Sequence, residues 1–208
     1  MVPPLERRYD AAVHLIGGAA AAAALPALLG AVIWRGAGHG STILTAAIYA
    51  GGVVAMLGFS AAYNLVTDPA WRDALRKYDR AAIFLMIAGT YTPILAVGVG
   101  GRTGQGLLIV VWLAALIGAG ITIARPRDHV SPIPYLILGW IGVLAAHSII
   151  AALPVWGLAL IVVGAVLYTL GVLFHRWTDL HCHNAVWHGF VLAGAGCHYA
   201  AVWQALMR

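Results

Sequence analysis

The stretch GLLIVVWLAALIGAGITIA, residues 106–124, contains no charged side chain. A run of about 20 apolar residues is what an α-helix needs to cross the hydrocarbon core of a bilayer. Basic residues flank the stretch, with Arg102 before it and Arg125 directly after it. The stretch therefore predicts a transmembrane helix, and the rest of the chain repeats the pattern.

The composition agrees with a membrane protein. Of 208 residues, 62% are hydrophobic and 9% are charged, whereas soluble chains have about 25% charged residues. The formal net charge is +5, but the basic residues lie in short segments between apolar runs. They therefore indicate topology and contact with anionic lipid headgroups, and not binding to nucleic acid. The two cysteines, Cys182 and Cys197, form no CxxC pair and indicate no disulfide framework.

Seven apolar runs are long enough to span a membrane. They cover residues 11–34, 42–66, 80–98, 106–124, 133–152, 155–174 and 184–205. Glycine, proline and charged residues fill the breaks, for example at 35–40 and 125–128, and the turn at Pro154 is the tightest. The predicted fold is an all-α integral membrane protein: a bundle of seven transmembrane helices forming one domain, residues 1–208.

The distribution of positive charge predicts the orientation of the bundle. With the N-terminus in the cytoplasm, nine of the twelve Lys and Arg residues fall inside and three, Arg35, Arg102 and Arg208, fall outside. Cytoplasmic loops of membrane proteins carry the excess of Lys and Arg. We therefore expect a cytoplasmic N-terminus and an external C-terminus in a bacterial inner (plasma) membrane.

Polar side chains within the spans are the first candidates for function, because burying them in a bilayer is costly. These are His14, Ser60, Asn64, Asp79, His147, His188 and His198. Ser60 and Asn64 are four residues apart, as are Asn184 and His188, so each pair shares one helix face. With Asp79 at the start of the third span, they are predicted to form a polar pocket near the cytoplasmic face. The alternative is that they cap helix ends or contact water.

Two connecting segments have simpler interpretations. His175, His181 and His183 are predicted to lie in a solvated loop between the last two spans, with metal binding as the alternative. Residues 68–80 place Trp71 and Tyr78 at helical spacing and predict a short interfacial helix. A charged loop is equally consistent with that composition.

The sequence also resembles a known family. Residues 59–95, FSAAYNLVTDPAWRDALRKYDRAAIFLMIAGTYTPIL, and residues 184–202, NAVWHGFVLAGAGCHYAAV, are similar to signatures of the bacterial hemolysin III family. Further similar stretches are YDAAVHLIGG (9–18), ILGWIGV (137–143) and GAVLYTLGVLFHR (164–176). The family is related to the progestin and adipoQ receptors and more distantly to alkaline ceramidases. The resemblance implies a seven-helix bundle with a cytoplasmic N-terminus.

The resemblance also implies a zinc site that this chain matches only in part. In adiponectin receptors and alkaline ceramidases, the pattern is a Ser with a His four residues later, an Asp in the third span, and HxxxH in the seventh. Ser60, Asp79 and His188 match this pattern, whereas Asn64 and Asn184 stand at the other two His positions. Neutral amides are poor zinc ligands. We therefore expect little tightly bound zinc, with Asn64, Asn184 and Asp79 as weak partners of His188, or a hydrogen-bonded cluster in place of the metal.

Four functions remain open from the sequence. The favoured one is membrane-lipid homeostasis or sensing, in which a cavity binds an acyl chain or lipid. A zinc-dependent lipid-amide hydrolase would use Ser60 and Asp79 to position a metal-activated water. A pore-forming cytolysin is implied by the family name, although no polar stripe runs through several spans. An ion-coupled transporter would use His14, His147 and His198 as relays. The sequence specifies neither an enzymatic reaction nor an oligomeric state.

Overall fold

A computed structural model describes residues 4–35, 40–124 and 131–208, and all regular secondary structure in these ranges is helical. The helices are α1 (Pro4–Trp34), α2 (Gly40–Leu65), α3 (Pro69–Pro93), α4 (Gly101–Ala124), α5 (Ile133–Trp140), α6 (Ala146–Ala152), α7 (Val155–Arg176) and α8 (His183–Leu206). A π-helical segment, Ile94–Val99, extends α3, and a 3₁₀ segment, Ile141–Ala145, joins α5 to α6. The breaks predicted at 35–40 and 125–128 fall largely or wholly outside the described residues.

Within the described residues, six helical stretches are long and apolar enough to cross a membrane. They are Glu6–Trp34, Gly40–Leu65, Pro69–Val99, Gly101–Ala124, Ile133–Ala152 and Val155–Arg176. Large apolar side chains such as Leu15, Ile117 and Leu144 are exposed on the outside of the bundle, as expected where lipid replaces water. The protein is thus an all-helical, multi-pass membrane protein. The last helix, α8, has 24 residues but is not among the six, and its first turns carry His183, Asn184 and His188.

Helices α1 and α2 run in opposite directions, and α1 and α8 run in the same direction, as contacts at both ends of the bundle show. At one end, the Arg7 side chain donates to the carbonyl of Leu65, and the Cys182 backbone N–H donates to Glu6. At the other end, Arg35 donates to the carbonyl of Met207. The end that holds the first turns of α1 and α8 and the last turn of α2 is termed the polar end below.

Glycines allow α2 to lie against α3, and α7 against α8. A Cβ added at Gly52 would lie 3.1 Å from the backbone oxygen of Leu85. One added at Gly164 would lie 2.4 Å from the His198 ring. Small residues at such crossings let helix backbones approach closely in lipid. These two close contacts hold α2 against α3 and α7 against α8, and α2, α3 and α8 carry most of the polar side chains.

Helix ends at the polar end differ from the sequence-based expectation. Asp68 caps α3 by accepting a 2.9 Å hydrogen bond from the Ala70 N–H, and the helix then continues without interruption. The interfacial helix predicted at 68–80 is therefore part of α3, and Asp79 lies inside that helix. Likewise α7 includes His175 and α8 begins at His183, so only His181 of the three loop histidines lies in the connection.

The fifth span, α5 to α6, is broken near its centre. The Tyr91 hydroxyl of α3 donates to the Gly139 carbonyl at 2.6 Å and accepts from the Gly142 N–H at 2.9 Å. A side chain inserted into the backbone ladder is a recognised cause of a helix kink. The 3₁₀ segment follows directly, so Tyr91 both interrupts the span and holds it against α3.

Candidate functional site

Asp10 lies at the centre of a cluster of polar side chains at the polar end. Its residue is 8% exposed, and its Oδ1 lies 2.6 Å from His188 Nδ1. The Asn184 amide is 3.4 Å from the same oxygen and 3.3 Å from the side-chain oxygen of Asn64. These contacts join α1, α2 and α8, and they bury a carboxylate among hydrogen-bond donors.

His14 extends the cluster from the same face of α1. Its Nδ1 lies 2.8 Å from the Asp10 carbonyl oxygen, and its Nε2 lies 3.1 Å from the Ser60 hydroxyl. The His14 and His188 rings are edge to face, with centroids 4.5 Å apart. Ser60 also interacts with the Asp79 carboxylate of α3. We term Asp10, His14, Ser60, Asn64, Asp79, Asn184 and His188 the polar cluster.

The partners of the two imidazoles assign their tautomers. A carbonyl or carboxylate oxygen can only accept, so the Nδ1 atoms of His14 and His188 both carry hydrogen and donate to Asp10. In each neutral ring the lone pair is then on Nε2. This assignment describes the cluster without a metal: the His14 Nε2 accepts from the Ser60 hydroxyl, and a metal held by Asp10 and both imidazoles would replace the Asp10–His188 hydrogen bond.

The donor types in the cluster fit a metal such as zinc. Donor atoms from Asp10, His14 and His188 all lie within 4.8 Å of one another. Imidazole and carboxylate are common zinc ligands, and three protein ligands with an open position are typical of catalytic sites. The sequence predicts only Asn64, Asn184 and Asp79 as partners of His188, and only as weak partners. That prediction omits Asp10 and His14, which are both in contact with His188.

The polar cluster borders a cavity of about 830 Å³. The cavity lies among α3, the fifth span, α7 and α8, and Asp10, Ser60, Asn64, Asp79, Asn184 and His188 line one end of it. Further from the polar end, the walls are mainly apolar and include Met86, Ile94, Ile149, Leu158 and Ile161. The arrangement offers hydrogen-bonding groups at one end and a hydrocarbon-like surface along the rest.

The structure brings together all five residues that the sequence predicted as pocket-forming: Ser60, Asn64, Asp79, Asn184 and His188. Of the other candidate histidines, His14 joins the polar cluster, whereas His147 and His198 lie apart from it. His147 is exposed on the outside of the bundle. His198 lines the cavity away from the polar cluster, where it contacts the Ile161 carbonyl oxygen at 3.2 Å and packs beside Tyr168 in the α7–α8 contact.

Asp10 is the functional candidate that sequence reasoning missed. It lies one residue before the predicted start of the first span, and only polar residues within the spans are predicted to be buried. A signal was present, because Asp10 and His14 are four residues apart, the same spacing that identified Ser60 with Asn64 and Asn184 with His188.

Comparison with known proteins is consistent with this architecture. A family model described as haemolysin-III related matches residues 7–199. A protein named hemolysin-3 homolog from Bacillus subtilis is 32% identical over 182 residues, covering 86% of this chain and 85% of the relative. Hemolysin-3 from Bacillus cereus is 31% identical over 201 residues, covering 95% and 90%.

A human protein is also related. The monocyte to macrophage differentiation factor is 27% identical over 176 residues, covering 79% of this chain and 71% of the human protein. The family match spans nearly the whole chain, and the spanning helices make the protein an integral protein of the plasma membrane. The chain belongs to the haemolysin-III-related family.

Proposed function

We propose that the protein binds the acyl chain of a membrane lipid in the cavity, with the lipid's polar group at the polar cluster, and so acts in membrane-lipid sensing or homeostasis. The observation that carries the proposal is the cavity itself. Its volume, about 830 Å³, lies within the range of roughly 300–1,000 Å³ common for small-molecule sites. The apolar walls suit a hydrocarbon chain, and Asn64, Asn184 and His188 offer hydrogen bonds to an amide, hydroxyl or carboxyl group.

A lipid could enter from the bilayer beside the fifth span. That span packs sparsely against α7. At the gap between them, the exposed Trp140 indole donates a 3.1 Å hydrogen bond to the Thr169 hydroxyl. A single neutral hydrogen bond contributes only about 1 kcal/mol, so its opening costs little compared with separating the glycine-packed helices.

Co-purifying lipid, measured by native mass spectrometry, tests this proposal. Ala165 lines the cavity, and the adjacent Val166 is an exposed residue that does not line it. We expect Ala165→Phe to reduce the bound lipid severalfold because the ring occupies cavity volume. The matched control Val166→Phe should leave it unchanged. Equal lipid retention by both variants and the wild type, with all three folded, would overturn the proposal.

We further propose that α8 is a seventh span and that the N-terminus is cytoplasmic. Twenty-four residues of helix measure about 36 Å at 1.5 Å per residue, which exceeds a hydrocarbon core of roughly 30 Å. The nine-to-three distribution of Lys and Arg supports the orientation. In a background without the native cysteines, Arg102→Cys should react with an impermeant reagent in intact cells while Lys77→Cys stays protected. The reverse pattern would invert the topology.

A metal-dependent lipid-amide hydrolase is the second candidate, and the contact of Asp10, His14 and His188 specifically favours it. A bound zinc would supply an activated water, and Ser60 and Asp79 would orient the lipid amide beside it. Elemental analysis of the wild type and of His188→Ala tests the metal. Release of fatty acid from an N-acyl lipid, lost in Asp79→Asn, tests the reaction. If the wild type contains zinc and also releases fatty acid, the protein is a hydrolase and not only a lipid-binding protein.

A further inference from the structure

A second group of potential metal ligands lies outside the polar cluster. Glu6, His181 and Cys182 place a carboxylate oxygen, an imidazole nitrogen and a thiol sulfur all within 4.8 Å of one another. The Glu6 Oε1 lies 3.5 Å from His181 Nδ1 and 3.1 Å from the Cys182 backbone nitrogen. The three side chains come from opposite ends of the sequence, so the fold, and not local spacing, brings them together.

The backbone at Cys182 holds this arrangement in place. Cys182 has φ 59° and ψ 24°, and it is the one non-glycine residue with positive φ in the described part of the chain. The left-handed conformation is uncommon for side chains other than Asn, Asp and Gly. The next residue, His183, closes a turn by donating its N–H to the Leu180 carbonyl at 3.1 Å. The turn positions His181 and Cys182 beside Glu6.

We propose that Glu6, His181 and Cys182 form a zinc-binding site at the mouth of the cavity, separate from the polar cluster. Cysteine, histidine and carboxylate are the ligands that zinc takes in proteins, at about 2.0–2.3 Å. A thiolate favours zinc over hard cations such as Mg²⁺ or Ca²⁺. Tetrahedral zinc at those distances places its ligands roughly 3.5 Å apart. Glu6 and His181 already lie 3.5 Å apart, and the other pairs must close to that separation from at most 4.8 Å, which the exposed His181 side chain is free to allow.

A further unpaired imidazole nitrogen follows Cys182 in the sequence, outside the group of three. The Nδ1 of His183 is buried and makes no hydrogen bond within the described residues. His183, Glu6 and Cys182 all line the mouth of the cavity. A solvent molecule can complete the coordination shell.

The proposed zinc site lies beside the polar cluster, on the path from the polar end into the cavity. Glu6 and Asp10 are four residues apart on one face of α1, about 6 Å along the helix. His181 and Cys182 precede Asn184 and His188 at the start of α8 in the same order. The site therefore lies one helical turn outside the polar cluster along the same α1–α8 contact. An ion entering the cavity from the polar end encounters it first.

Cobalt(II) titration of the purified full-length protein, kept reduced and freed of metal with a chelator, tests the proposal. Cobalt replaces zinc in such sites, and a thiolate ligand adds a charge-transfer absorption that nitrogen and oxygen ligands lack. We expect this absorption at one cobalt per chain, removable by added zinc. The chain has two cysteines, so Cys197→Ser is the matched control and should keep the absorption. His188→Ala should also keep it, which separates this site from the polar cluster.

Three further variants complete the test, and the first of them guards against loss of folding. Cys182→Gly should remove the absorption while keeping the fold, because glycine adopts the left-handed conformation without steric cost. His181→Ala should weaken cobalt binding by roughly tenfold or more, the range found when groups around a metal are removed. No absorption in the wild type would overturn the proposal, as would absorption that survives Cys182→Gly. An absorption that neither His181→Ala nor Glu6→Gln weakens would also overturn it, because only adventitious thiol binding would remain.

Discussion

The cavity has two walls of different construction. On one side α2 and α3 meet through Gly52, and the polar cluster links α1, α2 and α8 by side-chain hydrogen bonds; we term this the joined wall. On the other side the fifth span is interrupted at residues 141–145 and packs sparsely on α7; we term this the broken wall. The polar groups therefore belong to the more closely packed wall, and the apolar surface opposite them belongs to the more sparsely packed one.

This difference suits a site that recognises one kind of polar group attached to chains of variable length. Fixed hydrogen-bonding groups need support from packed neighbours to keep their geometry. An apolar wall needs no such precision, because hydrophobic contact is non-directional. The joined and broken walls should consequently respond differently to substitution.

The largest effect is expected in the joined wall at Gly52. Gly52→Leu would force side-chain atoms into the backbone of α3, since even a Cβ would lie 3.1 Å from the Leu85 oxygen and 3.2 Å from the Met86 Cα. We expect a loss of at least about 3 kcal/mol in unfolding free energy, the upper range for overpacking. The adjacent Gly51 has no atom within 4 Å of an added Cβ, so Gly51→Leu is the matched control. Thermal unfolding in detergent measures both, and equal losses would refute the close α2–α3 contact.

A smaller effect is expected when the centre of the polar cluster is removed. Asp10→Ala takes the acceptor from His188 and from the Asn184 amide. Hydrogen bonds that involve a charged group contribute about 1.5–3 kcal/mol, and we expect a loss of that size. Asp73→Ala is the control, because Asp73 is 77% exposed and pairs only at the surface with Arg76. If both variants unfold at the same temperature, Asp10 does not organise the cluster.

The broken wall should lose less from a comparable change. Tyr91→Phe removes the hydroxyl that bonds to Gly139 and Gly142 but leaves the ring in place. We expect a loss of about 1–2 kcal/mol, from two neutral hydrogen bonds, and faster amide hydrogen exchange confined to residues 139–145. Exchange that accelerates throughout α3 as well would show that the two walls unfold as one unit.

The smallest effect is expected at the exposed edge of the broken wall. Trp140→Phe removes the single hydrogen bond to Thr169, and the stability change should stay below about 1 kcal/mol. Lipid exchange should nevertheless become faster, because this bond closes the gap between the fifth span and α7. Trp156→Phe, at a 77% exposed residue, controls for the loss of an indole. An unchanged exchange rate would place the entrance elsewhere.

The sequence predicted the parts of this molecule that depend on local composition. Six of the seven apolar runs correspond to helices long and apolar enough to span a membrane, and helical spacing identified Ser60 with Asn64 and Asn184 with His188. Two features depend on contacts between distant residues and were missed. The break in the fifth span is made by Tyr91 of α3, which the run at 133–152 cannot reveal. Asp10 was overlooked because hydropathy placed it just outside a span, whereas α1 begins at Pro4 and buries it.

The central claim is that a lipid lies in the cavity with its polar group at the polar cluster and its chain along the apolar walls. Photo-crosslinking with a fatty acid that carries a diazirine at its terminal carbon tests this most directly, with labelled residues located by mass spectrometry. The account predicts labels at Ile149, Leu158 or Ile161, which line the cavity far from the polar end. Labels confined to outward-facing residues such as Val155 and Trp156 would contradict it.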